Sequence, residues 1–255
     1  MLASLISWLT RHLPRPLLQR MADGGGKLLA LLLRGSRYED NFDGRCYRRL
    51  LPYGRILKRE NALAPGSLSL ERHRLIWLFL QREINLRASS YAVLHMAPER
   101  CLQRALQAIP TLYYVSADLV SPWAAVHCDI QALPFPDNSF DLILCNHVLE
   151  HIPDDRRALR ELYRVLKPNG LAFLLVPMDS QRATTLEDPA ICTPQLREKY
   201  YYQRDHLRLY GTDYPVRLLA AGFHVQILNY AQLLPPELAQ RFALRLDEPL
   251  YLATK

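Results

Sequence analysis

From Tyr91 onward, short apolar runs alternate with amphipathic stretches, the order that a parallel sheet with crossover helices requires. Tyr91 to Glu99 (YAVLHMAPE) is an apolar run leading into a turn, and the segment from Arg100 to Ala108 reads as a helix. Leu112 to Asp118 (LYYVSAD) is a second strand, and a third short strand leads up to Asp129. Phe140 to Cys145 forms the fourth and ends at Asn146. Asp154 or Asp155 then caps a helix with Ala158, Leu159, Leu162, Val165 and Leu166 at helical spacing, stopped by Pro168 and Gly170. Leu171 to Val176 is the fifth strand. Phe223 to Tyr230 and Leu244 to Ala253 read as two more, separated by a helical segment from Pro235 to Ala243. The pattern predicts an α/β fold: a seven-stranded, mostly parallel sheet with helices on both faces and an antiparallel C-terminal edge strand.

Three segments are expected: an N-terminal helical stretch over residues 1–37, a ribbon-like segment with a helix over 38–88, and the sheet domain over 89–255. Leu2, Leu5, Ile6, Leu9 and Leu13 lie at helical spacing, with Trp8 nearby, and Lys27 to Leu33 (KLLALLL) adds a second apolar run. Both are too short to span a bilayer. Peripheral membrane contact through residues 1–33 is one reading, and packing against protein is the favoured one. No basic region precedes the first run, so a signal peptide is not expected.

A chain of 255 residues that is 49% hydrophobic can bury a full core. The net charge of +7 suits acidic partners, although a solvated, Arg-rich surface is its commoner cause. The five cysteines show no C-x-x-C pairing, which favours a reduced, cytoplasmic setting and buried thiols over a disulfide framework. Oligomeric state is open.

Ligands in such folds sit at the carboxyl ends of the strands. Asp118 ends the second strand about twenty residues beyond the first turn, where dinucleotide folds place an acid that grips the ribose hydroxyls. As a whole these segments resemble the class I S-adenosylmethionine-dependent methyltransferases, and specifically a methyltransferase type 11-like subgroup. The tract DNSFDLILCNHVLEHIPDDRRALRELYRVLKPNG is the most specific part. The resemblance implies a Rossmann-like sheet, S-adenosylmethionine as cofactor, and a pocket formed by His95, Ala97, Glu99, Asp118, Asp129, Ile130 and Asn146. His95 to Glu99 (HMAPE) replaces the usual glycine-rich turn. Ala97 is then the small residue that allows close approach, Glu99 the partner of the methionine amine, Asp129 an acceptor for the adenine amine, and Ile130 a cover for its ring.

The stretch from Asn61 onward resembles a segment that forms a small zinc ribbon in some of these enzymes. Ala64 and Ser67 stand where that ribbon has thiolates, and neither Glu39 nor Phe42 is cysteine. With only Cys46 and His73 to offer, the segment lacks the four ligands of structural zinc, and no metal is predicted. Packing of Phe42, Leu50, Leu51, Tyr53 and Ile56 is expected in its place. Glu71, Arg72, His73 and Arg74 open a helix capped by Ser67 or Ser69, with Arg72 and Arg74 as candidate contacts for an anionic substrate.

Pro189 to Asp205 is an insertion of the kind that forms a substrate lid. Gln203 to Tyr210 (QRDHLRLY) with Gly211 resembles a family tract D-H-x-R-x-Y-G, which marks Asp205, Arg208 and Tyr210 as substrate-binding candidates. His147, His151 and His206 are the candidate general bases for a hydroxyl acceptor. The expected activity is O- or N-methylation of a small-molecule, lipid-linked or sugar acceptor. Two alternatives stand beside it: an RNA methyltransferase, or an inactive partner protein that binds the cofactor. Nucleic acid is the less expected partner, because no N-P-P-Y motif follows the fourth strand and no Cys pair suggests cytosine chemistry.

Overall fold

The computed structural model describes residues 25–26, 28–54, 58–87 and 90–255. The helix expected over the first residues and the packing of Ile56 lie outside the described residues. In chain order the strands are β1 (Arg34–Asp40), β2 (Arg45–Tyr47), β3 (Leu51–Tyr53), β4 (Arg59–Leu63), β5 (Ala92–Met96), β6 (Tyr113–Asp118), β7 (Val126–His127), β8 (Phe140–Asn146), β9 (Leu166–Leu175), β10 (His224–Leu228) and β11 (Leu250–Thr254). The helices are α1 (Glu71–Arg82), α2 (Arg100–Gln107), α3 (Asp155–Val165), α4 (Pro194–Tyr201), α5 (Tyr214–Ala220), α6 (Tyr230–Leu233) and α7 (Pro236–Arg241). No helix among the described residues is long and apolar enough to cross a membrane.

Two compact units divide the chain. The first takes the residues up to Arg82 together with Arg100–Leu102 and Ala231–Asp247, so part of the C-terminal third groups with the N-terminal segment and not with the sheet. Its hairpins β1–β2 and β3–β4 are separate two-stranded antiparallel sheets. Tyr38, Tyr47, Leu50 and Ala64 form a small core with Ala30 and Leu33, and Leu51 packs against it. Phe42 stacks on Trp77 at 5.7 Å. Tyr53 departs from expectation: it is exposed, with the Arg59 guanidinium over its ring. In the apolar run before β1, Leu28, Leu29, Leu31 and Leu32 are exposed while Ala30 and Leu33 are buried.

Neither serine caps α1. The Ser69 hydroxyl donates to Asp40, and the amide of Leu70 donates to Nδ1 of His73. Arg74 is fully buried and acts as a staple within this unit. Its Nε donates to the carbonyl of Phe242, Nη1 to Ser69, and Nη2 to the carbonyls of Ala62 and Ala243. A guanidinium so engaged has no donor left for an anionic substrate, which corrects the reading of Arg74. Glu71 is paired with Arg59 at 2.9 Å. Arg72 is half-buried, and its Nε has no hydrogen-bond partner among the described residues.

The second unit holds the seven-stranded sheet, in the order β10-β11-β9-β8-β5-β6-β7. β5 pairs in parallel with both β6 and β8, which makes the gap between their carboxyl ends the point where strand order reverses. β11 runs antiparallel to β9 and to β10, and β10 lies at the edge. Leu94, Ile143, Leu144, Ala172 and Phe173 are fully buried, as central parallel strands covered on both faces require. Asp154 caps α3, its carboxylate accepting from the amide of Arg157.

Pro168 and Gly170 do not follow the helix as a stop signal. They lie inside β9, which pairs Phe140 with Leu166 and then Leu142 with Leu171, so residues 167–170 bulge out with Asn169 at a φ of 62°. A proline, having no amide donor, is tolerated in a strand at such a bulge.

Candidate active site

β5, β6 and β8 bring their carboxyl ends together, and the sequence-predicted cofactor residues sit there. At the end of β5, Ala97 adopts a φ of 46°, the left-handed conformation that normally calls for glycine, and its amide donates to Ala117 of β6 at 2.8 Å. His95 is fully buried. Its Nδ1 lies 2.9 Å from the Tyr114 hydroxyl and its Nε2 2.6 Å from Oε2 of Glu99. The amide of Glu99 also approaches Nε2, at 3.4 Å, so both the side chain and the backbone of Glu99 meet the ring. His95 therefore braces the turn from within, a role that the sequence pattern does not reveal because Tyr114 lies on another strand.

Asp118 ends β6. Its Oδ1 accepts from the amides of Val120 and Ser121, which leaves Oδ2 without a hydrogen bond among the described residues. Asp129 is exposed, and both of its oxygens accept from Gln131. Ile130, expected to cover an adenine ring, is 3% exposed and belongs to the apolar core with Leu133, Leu94 and Ala117. It is therefore a core residue. Asn146 ends β8, buried, and neither its Oδ1 nor its Nδ2 has a partner among the described residues. A buried amide lacking all its bonds is costly, and such groups are commonly completed by a ligand or a water.

Beyond Asn146 the chain turns sharply. His147 has a φ of 53°, and its amide donates to Leu175 of β9. The next three residues, Leu149–His151, form one 3₁₀ turn. Glu150 in that turn is 1% exposed, with Oε1 lying 3.4 Å from Nδ1 of His147. Burial is the largest influence on the Glu150 carboxyl and pushes its pKa up. The hydrogen bond from His147 and the charges of His147 and His151 outweigh it, so the pKa ends below the ordinary value.

The segment around His206 docks on the same turn. The amide of Leu207 donates to the carbonyl of Glu150 at 2.8 Å. The Arg208 guanidinium donates to the carbonyls of Leu149, Ile152 and Pro153 and to Oε1 of Glu187. Arg217 binds both oxygens of Asp155 and reaches Glu187, and the Tyr210 hydroxyl donates to Asp155. Arg208 is 1% exposed and all five of its N–H groups are engaged, while Tyr210 is fully buried. Both were expected to bind substrate. The structure makes them the clamp that fixes the 3₁₀ turn and its histidines.

His206 itself is 1% exposed, its ring 4.8 Å from that of His151 in an edge contact. Burial lowers its pKa from the ordinary 6.5, which keeps it neutral near pH 7. Asp205 is the exposed member of the tract, with its carboxylate 3.6 Å from Nδ1 of His151. Glu150 is the site residue that sequence reasoning missed. The available signal was an acid beside His151 directly after a strand end that ligands approach.

Comparison with known proteins identifies residues 99–174 as matching the family model described as a methyltransferase domain. A ubiquinone/menaquinone biosynthesis C-methyltransferase, UbiE, from Xanthomonas oryzae is 51% identical over 57 residues, 22% of either chain. A demethylmenaquinone methyltransferase from Listeria welshimeri is 51% identical over 45 residues, 18% of this chain and 19% of that one. The chain thus spans only about a fifth of the length of the curated relatives it matches. Among solved structures, an S-adenosylmethionine-dependent methyltransferase from Mesorhizobium loti has a TM-score of 0.46 at 16% identity, over 71% of this chain and 96% of that one. The 1,6-didemethyltoxoflavin-N1-methyltransferase of Burkholderia thailandensis, solved with S-adenosylhomocysteine, gives 0.44 at 17% identity over 71% and 76%.

Proposed function

We propose, from the class I methyltransferase domain that this chain carries, that the protein transfers the methyl group of S-adenosylmethionine to a hydroxyl or amine of a small-molecule acceptor, lipid-linked and sugar acceptors included. One observation supports this above others: the buried Asn146 amide, unbonded on both atoms, lies at the end of the strand beside β5, where Ala97 holds a left-handed turn. The residues present fit the cofactor. Asp118 has a carboxylate oxygen to accept from a ribose hydroxyl, Asn146 offers a donor and an acceptor, and the single methyl of Ala97 lets the backbone come close.

S-Adenosylmethionine, when bound, supplies an electrophilic methyl on a sulfonium. The chain contributes position, exclusion of water and a place for the acceptor's proton. His147 receives that proton for a hydroxyl acceptor. The Glu150 carboxylate, 3.4 Å from Nδ1 of His147, accepts from Nδ1 and leaves Nε2 to act as the base. A carbon acceptor is the second reading, favoured by the stretch shared with the C-methyltransferase of Xanthomonas oryzae.

Calorimetric titration of the full chain with S-adenosylhomocysteine tests the first step, and saturable heat is expected. Absence of heat at saturating ligand would remove the proposal. A panel of phenols, amines, sugars and quinol analogues with labelled methyl donor then separates oxygen, nitrogen and carbon acceptors.

A further inference from the structure

Glu150, His151 and His206 each offer one ligand atom, and those atoms all lie within 4.8 Å of one another. Three further observations give the cluster a direction. Nδ1 of His206 lies 3.1 Å from the carbonyl of Tyr201, and Nδ1 of His151 lies 3.2 Å from the carbonyl of Asp205. A carbonyl can only accept, so both rings carry their proton on Nδ1 and hold a lone pair on Nε2. Among the described residues, Nε2 of His206 is buried without a partner, and so is Oε2 of Glu150. The two unpartnered buried atoms, Nε2 of His206 and Oε2 of Glu150, are therefore both acceptors, in side chains each 1% exposed.

We propose that Glu150, His151 and His206 form a binding site for one divalent transition-metal ion. Two imidazoles and a carboxylate are a ligand set suited to zinc, manganese, iron or cobalt, whereas magnesium and calcium favour oxygen alone. A tetrahedral ion with bonds of about 2.1 Å places its ligands roughly 3.4 Å apart, so side-chain rotations closing the cluster by little more than ~1 Å would seat it. The carbonyls of Tyr201 and Asp205 orient the two rings from behind, as partners of metal-bound imidazoles commonly do. Three protein ligands leave a position open for water or for an oxygen of a substrate. The site lies just past the carboxyl end of β8, and Oε1 of Glu150 still faces His147. Its existence does not depend on the methyl-transfer reading.

The test uses the full chain, stripped with a chelator and titrated with Co2+ and Zn2+ by calorimetry, without cofactor. One ion per chain is expected, with His151→Ala and His206→Gln each weakening binding at least about tenfold. Cys192→Ser, which removes an exposed thiol, should leave affinity unchanged. Circular dichroism checks each fold. If His206→Gln does not fold, His151→Ala decides, since its side chain is 34% exposed. No saturable uptake by the wild-type chain, or uptake unaffected by the histidine substitutions, would overturn the proposal. Binding of S-adenosylhomocysteine is measured separately, so failure at either site is told apart from failure at the other.

Discussion

The Arg208 guanidinium donates to the carbonyl oxygen of Ile152 at 2.6 Å, and the same nitrogen reaches Leu149. Those carbonyls belong to the turn after β8, where that of Leu149 also accepts from the amide of Ile152 while that of Ile152 accepts from no backbone amide among the described residues. Replacing Arg208 with Met should therefore leave the carbonyls of Ile152 and Pro153 without their donor and Glu187 with Arg217 alone, and destabilise the fold by about 2–4 kcal/mol. Lysine should restore little, because an ammonium cannot reproduce the planar fork. Urea unfolding followed by circular dichroism measures both. A loss under ~1 kcal/mol for Arg208→Met would show that the clamp is dispensable.

Asp118 combines a turn function with a free oxygen, and two substitutions separate them. Asp118→Asn keeps an acceptor for the amides of Val120 and Ser121 but loses the charge. Asp118→Ala loses both. Affinity for S-adenosylhomocysteine should fall about 10- to 100-fold in the first variant, the worth of charged hydrogen bonds, while stability is kept. The second should lose affinity and stability together. Calorimetry beside thermal melts distinguishes the outcomes.

Ala97 adopts a positive φ at a cost of roughly 1–2 kcal/mol that glycine would not incur. Glycine also gives up about 0.5–1 kcal/mol through its freer unfolded chain. Ala97→Gly is thus expected to be neutral or to gain up to about 1 kcal/mol, and Ala97→Val to be clearly destabilising. Equilibrium unfolding of the two variants checks the order.

His206 makes stability depend on pH. Burial lowers its folded pKa below the 6.5 of the unfolded chain. Between those two values the unfolded state binds more protons, so stability rises with pH. The contribution is complete above 6.5 and is lost as pH falls toward the folded pKa. Melting temperatures taken between about pH 5 and 8 on chelator-treated protein should decline toward the acid side, and His206→Gln should flatten the slope in that window. An unchanged slope would assign the effect elsewhere.

Much of the sheet was legible in the chain because buried parallel strands are short, nearly continuous apolar runs. β5, β6 and β8 fall within a residue or two of expectation, and Asp154 caps its helix as read. β9 was misjudged at its start: Pro168 and Gly170 serve a bulge as well as they serve a helix stop, and local sequence does not choose between the two. The tract from Asp205 to Tyr210 was found, but its chemistry was not. That Arg208 and Tyr210 serve carbonyls and carboxylates some 55 residues away follows only from tertiary docking. Glu150 and His206 are likewise far apart in the chain, and their meeting depends on the bond from Leu207.

The placement of β11 sets an order of assembly. β10 precedes it in the chain, yet its only neighbour in the sheet among the described residues is β11, the later strand. Until Leu250–Thr254 is in place, β10 has no strand to pair with and one side of β9 stays open. Such an open side is a template for pairing with foreign strands. Those five residues are thus the seam of the sheet, and loosening them would expose β9 to aggregation.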